Sequence, residues 1–148
     1  MNNNLLRAAA AYGSAAETGD KGANIVLLYD GAILRLGDAK LAIAEKRIED
    51  RFNRLESARR IIEGLHGCLD FDAGGEVAAT LHRFYTYVQG RILQIHMNQS
   101  LESCDELISN LTLMRNAWAE AASQGQRPAP QPAAARADTR ATARAISA

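Results

Sequence analysis

The sequence contains very little proline. Its three prolines, Pro128, Pro130 and Pro132, fall within five residues near the C-terminal end, and the 127 residues before them contain none. Because proline removes a backbone donor and breaks helices, a proline-free stretch rich in Ala, Leu, Arg and Glu predicts an all-helical fold. Aromatic residues make up only 5% of the chain. Since β-branched residues also form no sustained alternation, a β-sandwich or barrel is excluded.

The chain also lacks an excess of charge of either sign, with 17 Lys and Arg against 17 Asp and Glu. This balance hides an asymmetry. Residues 125–148 carry four arginines and one aspartate, a net charge of +3, which leaves 13 basic and 16 acidic side chains elsewhere, a net charge of −3. A mildly acidic body has no basic patch of the kind that binds nucleic acid, so we expect no nucleic-acid partner.

Long hydrophobic runs are absent as well. No stretch approaches the ~20 apolar residues that a membrane span needs, and residues 1–13 lack the basic start of a secretory signal. We therefore expect a cytoplasmic protein with no membrane insertion. Its two cysteines, Cys68 and Cys104, are predicted at opposite ends of the fold described next, too far apart to form a disulfide.

Apolar residues recur with helical periodicity in four segments of the chain. The predicted helices cover about residues 21–46, 48–69 and 76–98, and the fourth starts near Ser100. Asp20 and Ser100 are predicted N-caps, and residues 70–75, which end in two glycines, are predicted to form a loop. The residues predicted to face the core are Ile25, Tyr29, Ala32, Leu36, Ala39 and Ile43; Ile48, Phe52, Leu55, Ala58, Ile62, Leu65 and Leu69; Val77, Leu81, Phe84, Val88, Ile92 and Ile95; and Cys104, Leu107, Leu111, Met114, Trp118 and Ala121.

Four long helices with short connections predict an all-α fold, an antiparallel up-down-up-down four-helix bundle. The bundle is assigned to residues 20–124. Residues 1–19 are predicted to form an N-terminal cap or plug segment, and the Pro/Ala/Arg-rich residues 125–148 a disordered tail, because they have no apolar periodicity.

A bundle can hold a di-metal carboxylate centre, which needs a Glu-x-x-His motif from each of two helices. Glu63 and His66 form one such motif, but neither His82 nor His96 has a glutamate three residues before it. A chance match is the better interpretation. We therefore predict no metal, no cofactor, no catalytic residues and no enzymatic activity.

The first predicted helix carries a second apolar stripe. Leu27, Leu34 and Leu41 are one heptad apart and lie ~180° from the inward-facing stripe, where a surface helix is normally polar. Two interpretations are open: the N-terminal segment that contains Tyr12 covers these leucines, or they form an apolar groove for a partner helix. Gly31, close to this face, would allow another backbone to approach.

Short motifs follow one another in a fixed order along these helices. They are Ile25–Gly31 (IVLLYDG); Leu69-Asp70 with Gly74-Gly75-Glu76; Leu81, Tyr85, Tyr87 and Arg91; Leu113, Arg115, Ala117 and Trp118; and the upstream pair Ala11-Tyr12. Together they resemble the FliS family of flagellar secretion chaperones over about residues 10–122.

The resemblance implies a cytoplasmic export chaperone that is not an enzyme. Such a chaperone binds the disordered C-terminal region of flagellin, which becomes helical against the bundle. Binding prevents premature polymerisation and assists flagellar type III export. Export-gate components or a co-chaperone are further partners that the resemblance suggests.

The resemblance also suggests that Tyr12 is a displaceable plug in the client site, whereas the leucine stripe is assigned to the groove from its periodicity alone. The predicted partner-binding residues are Tyr12, Leu27, Tyr29, Asp30, Gly31, Leu34, Leu41, Tyr85 and Arg91. For the polar members a purely structural role, as hydroxyl or ion pairs within the bundle, stays open. The alternative function is a homo-oligomeric structural or adaptor bundle without a client.

Overall fold

The protein is a bundle of four helices, seen in a computed structural model that describes residues 11–12 and 21–126. The helices are α1 (Lys21–Ala44), α2 (Ile48–Gly67), α3 (Phe71–Asn98) and α4 (Leu101–Gln126). Connections of two or three residues reverse the chain between them. Helices α1 and α3 each pack against both α2 and α4, which closes a ring of four. The predicted all-α, up-down-up-down bundle is therefore confirmed.

Polar side chains define the helix ends. The Ser100 hydroxyl accepts a hydrogen bond from the Ser103 amide at 3.1 Å, which confirms it as the N-cap of α4. At the end of α3, Gln99 takes a left-handed conformation, with φ of 55°. The other predicted N-cap, Asp20, lies outside the described residues. So do the remainder of the N-terminal segment, apart from Ala11 and Tyr12, and the predicted tail from residue 127 onward.

The segment predicted as a loop is largely the first turn of α3. Asp70 caps this helix, because its Oδ1 accepts hydrogen bonds from the amides of Asp72 and Ala73, both at 3.0 Å. Gly75 then interrupts the helix, with φ of 49° and ψ of −125°. Glycine reaches this region at no steric cost. The turn-forming residues thus mark a cap and a break rather than an open loop.

The core lies between the four predicted inward stripes. Most of their members are buried, but Ile48 and Phe52 are more than half exposed. Ile48 is the first residue of α2, and Phe52 lies at the edge of the α2–α3 seam with its ring 5.4 Å from that of His96. Their predicted place in the core is wrong, because periodicity identifies a face of a helix and not how far the core extends along it. The buried hydrophobic residues of the helices are Ile25, Tyr29, Ala32, Leu36, Ala39, Ala42, Leu55, Ala58, Ile62, Leu65, Ala78, Leu81, Tyr85, Val88, Ile92, Ile95, Cys104, Leu107, Leu111 and Trp118.

The core assignment can be tested with two neighbouring residues of α3. Ile92 is fully buried, whereas Leu93 is exposed. Ile92→Ala should lower the free energy of unfolding by about 3 kcal/mol, because it leaves a cavity. Leu93→Ala should change it by less than about 0.5 kcal/mol. Urea unfolding followed by circular dichroism measures both, and equal losses in the two variants would contradict the assigned core.

Candidate partner-binding site

Two residues from the N-terminal segment are inserted into one end of the bundle. Ala11 is 0% exposed and Tyr12 is 5% exposed. The carbonyl of Ala11 accepts a hydrogen bond of 2.5 Å from the amide of Asp70, in the connection between α2 and α3. Since a buried carbonyl needs such a donor, this bond fixes the pair to the turn.

The Tyr12 side chain joins a cluster of buried aromatic residues. Its hydroxyl forms a hydrogen bond with the hydroxyl of Tyr85 on α3. The Tyr85 hydroxyl also lies 2.8 Å from that of Tyr29 on α1, and the Tyr12 ring lies 5.7 Å from that of Trp118 on α4. Hydroxyl groups of the N-terminal segment, α1 and α3 therefore meet at one place, beside the Trp118 ring of α4.

All three tyrosines of this cluster are held in the neutral form. Burial raises the pKa of Tyr29 to about 12, although its hydrogen bonds to Tyr85 and Trp118 act in the opposite direction. Burial also raises the pKa values of Tyr12 and Tyr85 well above the ordinary value. Because an apolar environment disfavours the phenolate, the cluster is built from neutral hydroxyl groups.

Beside this cluster an apolar groove runs between α1 and α2. Its volume is about 600 Å³, which is within the range of ligand-binding clefts. Tyr12 lines it together with residues from both helices, so the inserted segment forms part of its wall. The other lining residues are Asn24, Ile25, Leu28, Ser57, Arg60, Ile61, Gly64, Leu65 and Cys68.

The leucine stripe of α1 is exposed in the described structure. Leu27, Leu34 and Leu41 are 65%, 64% and 53% exposed. Tyr12 does not cover them, because its ring is in the aromatic cluster. Leu28, the neighbour of Leu27, lines the groove. No leucine of the stripe lines the groove, so α1 presents two apolar surfaces, the groove toward α2 and the exposed leucine stripe.

Two of the predicted polar residues form ion pairs between helices. Asp30 on α1 binds Arg115 on α4 through both carboxylate oxygens, at 2.8 and 3.3 Å. Arg91 on α3 binds Glu106 on α4 and lies over the ring of Tyr87. These contacts support the structural interpretation of both residues, because each side chain already neutralises a charge within the bundle.

Gly31, another predicted partner-binding residue, lies at the edge of the α1–α2 interface. A Cβ atom on Gly31 would lie 3.2 Å from the guanidinium of Arg35 and 3.4 Å from the side chain of Ile61. Gly31 thus relieves crowding between side chains. The structure brings Tyr12, Tyr29 and Tyr85 together, and it leaves the leucines, Gly31, Asp30 and Arg91 in separate surroundings.

Sequence reasoning missed the α2 wall of the groove. Ser57, Ile61, Gly64 and Cys68 line it, and their spacings of 4, 3 and 4 form a second stripe beside the buried one. This stripe could have been found from the sequence. The periodicity of apolar residues does not reveal it, because only one of its members, Ile61, is a large apolar residue.

Glu63 and His66, the two members of the Glu-x-x-His motif of α2, contact different partners. Gln89 donates to Nδ1 of His66 at 3.0 Å, so Nε2 of His66 carries the proton and donates to Nδ1 of His82 at 2.7 Å. Burial, and then the neighbouring His82, lower the pKa of His66. Glu63 instead pairs with Arg59 at 3.0 Å.

Within residues 11–12 and 21–126, no three or more His, Cys, Asp or Glu side chains are grouped so that they could hold a metal ion. In that part of the chain no helix is long and apolar enough to cross a membrane. Cys68 is exposed and Cys104 is buried, and both are free thiols, as predicted.

The described residues thus form an all-helical bundle with an inserted tyrosine and an exposed apolar face. Residues 3–125 match the family described as flagellar protein FliS. The chain therefore belongs to the FliS family.

Curated relatives agree with this assignment. The flagellar secretion chaperone FliSB of Pseudomonas aeruginosa is 31% identical over 94 residues, 64% of this chain and 75% of the relative. The flagellar secretion chaperone FliS of Vibrio cholerae is 30% identical over 94 residues, 64% of this chain and 69% of the relative. That of Salmonella typhimurium is 32% identical over 95 residues, 64% of this chain and 70% of the relative. The chain is thus a member of a family of flagellar secretion chaperones.

The hydroxyl of Tyr85 should stabilise the protein, because it bridges two others. Tyr85→Phe removes a partner from both Tyr12 and Tyr29 and should cost about 1–3 kcal/mol of unfolding free energy. Tyr87→Phe is the matched control, since the Tyr87 hydroxyl contacts Asn110 and Arg91 at the surface, where water replaces such contacts. Urea unfolding at pH 7 measures both variants. A similar loss in each would contradict the bridging role.

The buried tyrosines also predict a loss of stability in alkali. Their pKa values are higher in the folded chain than the ordinary value near 10, so the unfolded chain releases these protons first. Stability should be full below pH 10 and fall as the pH rises, over pH 10 to about 12 for Tyr29. Each tyrosine contributes a slope of up to about 1.4 kcal/mol per pH unit.

Tyr29→Phe isolates one of these contributions. Urea unfolding at pH 10, 10.5 and 11 should show a slope that is shallower in this variant by roughly the amount expected for one proton. Equal slopes in the variant and the parent chain would mean that Tyr29 ionises alike in both states, against the direction of its pKa.

Proposed function

We propose that this protein is a cytoplasmic chaperone for flagellin. It binds the disordered C-terminal region of flagellin, blocks its premature polymerisation and assists its type III export through the flagellar apparatus. Membership of the FliS family and the names of the curated relatives support this proposal. Export-gate components or a co-chaperone are proposed as further partners, and no enzymatic step is involved.

One observation carries the proposal: the apolar surface of α1 that is left exposed. It consists of the leucine stripe of α1 and of the groove between α1 and α2. A client that folds on binding loses conformational entropy, so a large apolar area must compensate. An amphipathic client helix would place its apolar side chains in this groove and over the stripe, as other helix-in-groove complexes do.

Tyr12 is proposed to be the plug that the client displaces. It lines the groove and is held mainly at its ring and its hydroxyl. Its departure would open the groove toward Tyr85 and Trp118 and give a client side chain access to them. Tyr29 would become accessible by the same movement, because it is bonded to Tyr85. Gly31 and Asp30, both on α1, would shape the surface next to the client helix, whereas Arg91 on α3 would act away from it through its pair with Glu106 on α4.

The competing function is self-association through the same leucine stripe. Heptad spacing is also what a helix needs to pair with a second copy of itself. Analytical ultracentrifugation of the purified protein, with and without a peptide of the flagellin C-terminal region, separates the two. A 1:1 complex with the peptide supports the chaperone. A dimer that is indifferent to the peptide supports self-association and overturns the proposal.

The leucine stripe can be tested by a charge substitution. Leu34→Glu should abolish sedimentation with the peptide and leave helicity intact, because a charge on an apolar contact surface must be desolvated. Leu93→Glu is the matched control, since Leu93 is 61% exposed against 64% for Leu34 and lies on the helix across the bundle. If Leu34→Glu unfolds the bundle, the stripe is part of the core and the assignment is wrong.

A further inference from the structure

Gly74, in the first turn of α3, is in close contact with the inserted segment. A Cβ atom placed on Gly74 would lie 2.6 Å from the Cα and 2.8 Å from the Cβ of Ala11. Both distances are far inside van der Waals contact. The fit therefore depends on the absence of a side chain at position 74 and on a methyl group at position 11.

The backbone of the same turn provides a hydrogen bond to the segment. The Asp70 amide donates to the carbonyl of Ala11, while the Asp70 side chain caps α3 through the amides of Asp72 and Ala73. Because the side chain is held by the cap, the direction of the Asp70 amide is fixed. The turn thus directs the backbone N–H of Asp70 at Ala11, the residue that contacts Gly74.

The residue that follows Ala11 meets a second set of fixed groups. Tyr12 packs its ring against Trp118 and brings its hydroxyl to that of Tyr85. Phenylalanine at this position would leave the Tyr85 hydroxyl without one partner, and an aliphatic residue would also lose the ring contact. Position 11 therefore requires a small side chain, and position 12 requires a phenol.

We propose that Asp70, Gly74, Tyr85 and Trp118 form a recognition site for a small residue followed by tyrosine, with Gly74 as the residue that sets its specificity. In this structure the site holds Ala11 and Tyr12 of the same chain. Because the two residues are adjacent, enlarging the first also withdraws the second. The site thereby controls access to the groove, a consequence that rests on the proposed function.

The site can be vacated without altering any residue that forms it. Ala11→Leu adds three carbon atoms where Gly74 leaves no room, whereas Ala11→Ser is a control of similar size. In the leucine variant, amide hydrogen exchange at Asp70 should accelerate about tenfold or more, and Trp118 fluorescence should change because the Tyr12 ring leaves. The serine variant should match the parent chain. Unchanged protection of the Asp70 amide in Ala11→Leu would overturn the proposal.

Supplying the segment as a separate peptide tests recognition directly. A synthetic peptide of residues 5–18, added to the full-length Ala11→Leu protein, should restore protection of the Asp70 amide. The same peptide carrying leucine at position 11 should not. Restoration by both peptides would mean that position 11 is not read, and restoration by neither would mean that the pair is held only as part of its own chain. Each of these two results contradicts the proposed site.

A second variant approaches the contact from the bundle side. Gly74→Ala should also release the segment, although its Cβ would lie 2.9 Å from that of Ala78. Gly90→Ala, in the same helix with open space around its position, is the matched control. Accelerated exchange at Asp70 in Gly74→Ala but not in Gly90→Ala supports the assignment. Equal exchange in both variants contradicts it.

Client binding is measured separately with the flagellin C-terminal peptide. Ala11→Leu should bind it about tenfold more tightly than the parent chain, because the competing segment is gone. If the Asp70 amide is released and affinity is unchanged, the site does not control the groove. If neither chain binds the peptide, the proposed function fails while the recognition site is still judged from hydrogen exchange and from the synthetic peptide.

Discussion

The hydroxyl of Tyr85 is the interaction on which the rest of this structure depends. It joins Tyr12 of the N-terminal segment to Tyr29 of α1, and the ring of His66 on α2 lies 5.9 Å from its own ring. A buried hydroxyl must find partners, because an unsatisfied one carries a desolvation penalty. The positions of Tyr12 and Tyr29 are therefore coupled through Tyr85, and a change at one alters the hydrogen bonding available to the other.

The fold could be predicted in large part from the chain itself. Four amphipathic stripes without a proline between them leave few arrangements other than a bundle, and residues such as Leu36, Ile62, Ile92 and Leu107 are buried as their spacing required. Periodicity does not show how far along the helix axis the core extends. Phe52 has the correct phase for the core but lies where the seam opens to solvent, against His96.

The candidate site could be predicted only in part, for a physical reason. Exposed leucines at heptad spacing are a signal that any helical projection displays. The insertion of Ala11 and Tyr12 has no such signal, because two residues have no periodicity. Their position is determined by a hydrogen bond and a missing Cβ atom about sixty residues further along the chain. Resemblance to the FliS family pointed to Tyr12, but only the geometry shows which groups hold its neighbour.

Helix α1 has a buried face and an exposed face, which contribute differently to the stability of the bundle. Tyr29, Ala32 and Leu36 are fully buried and bind the helix to the bundle, whereas the leucine stripe contributes little to that packing. Substitutions on the exposed face are therefore nearly neutral for folding. Such a helix can accept changes on its outward surface while the bundle beneath it stays the same, so the chemistry of that surface can change independently of the core.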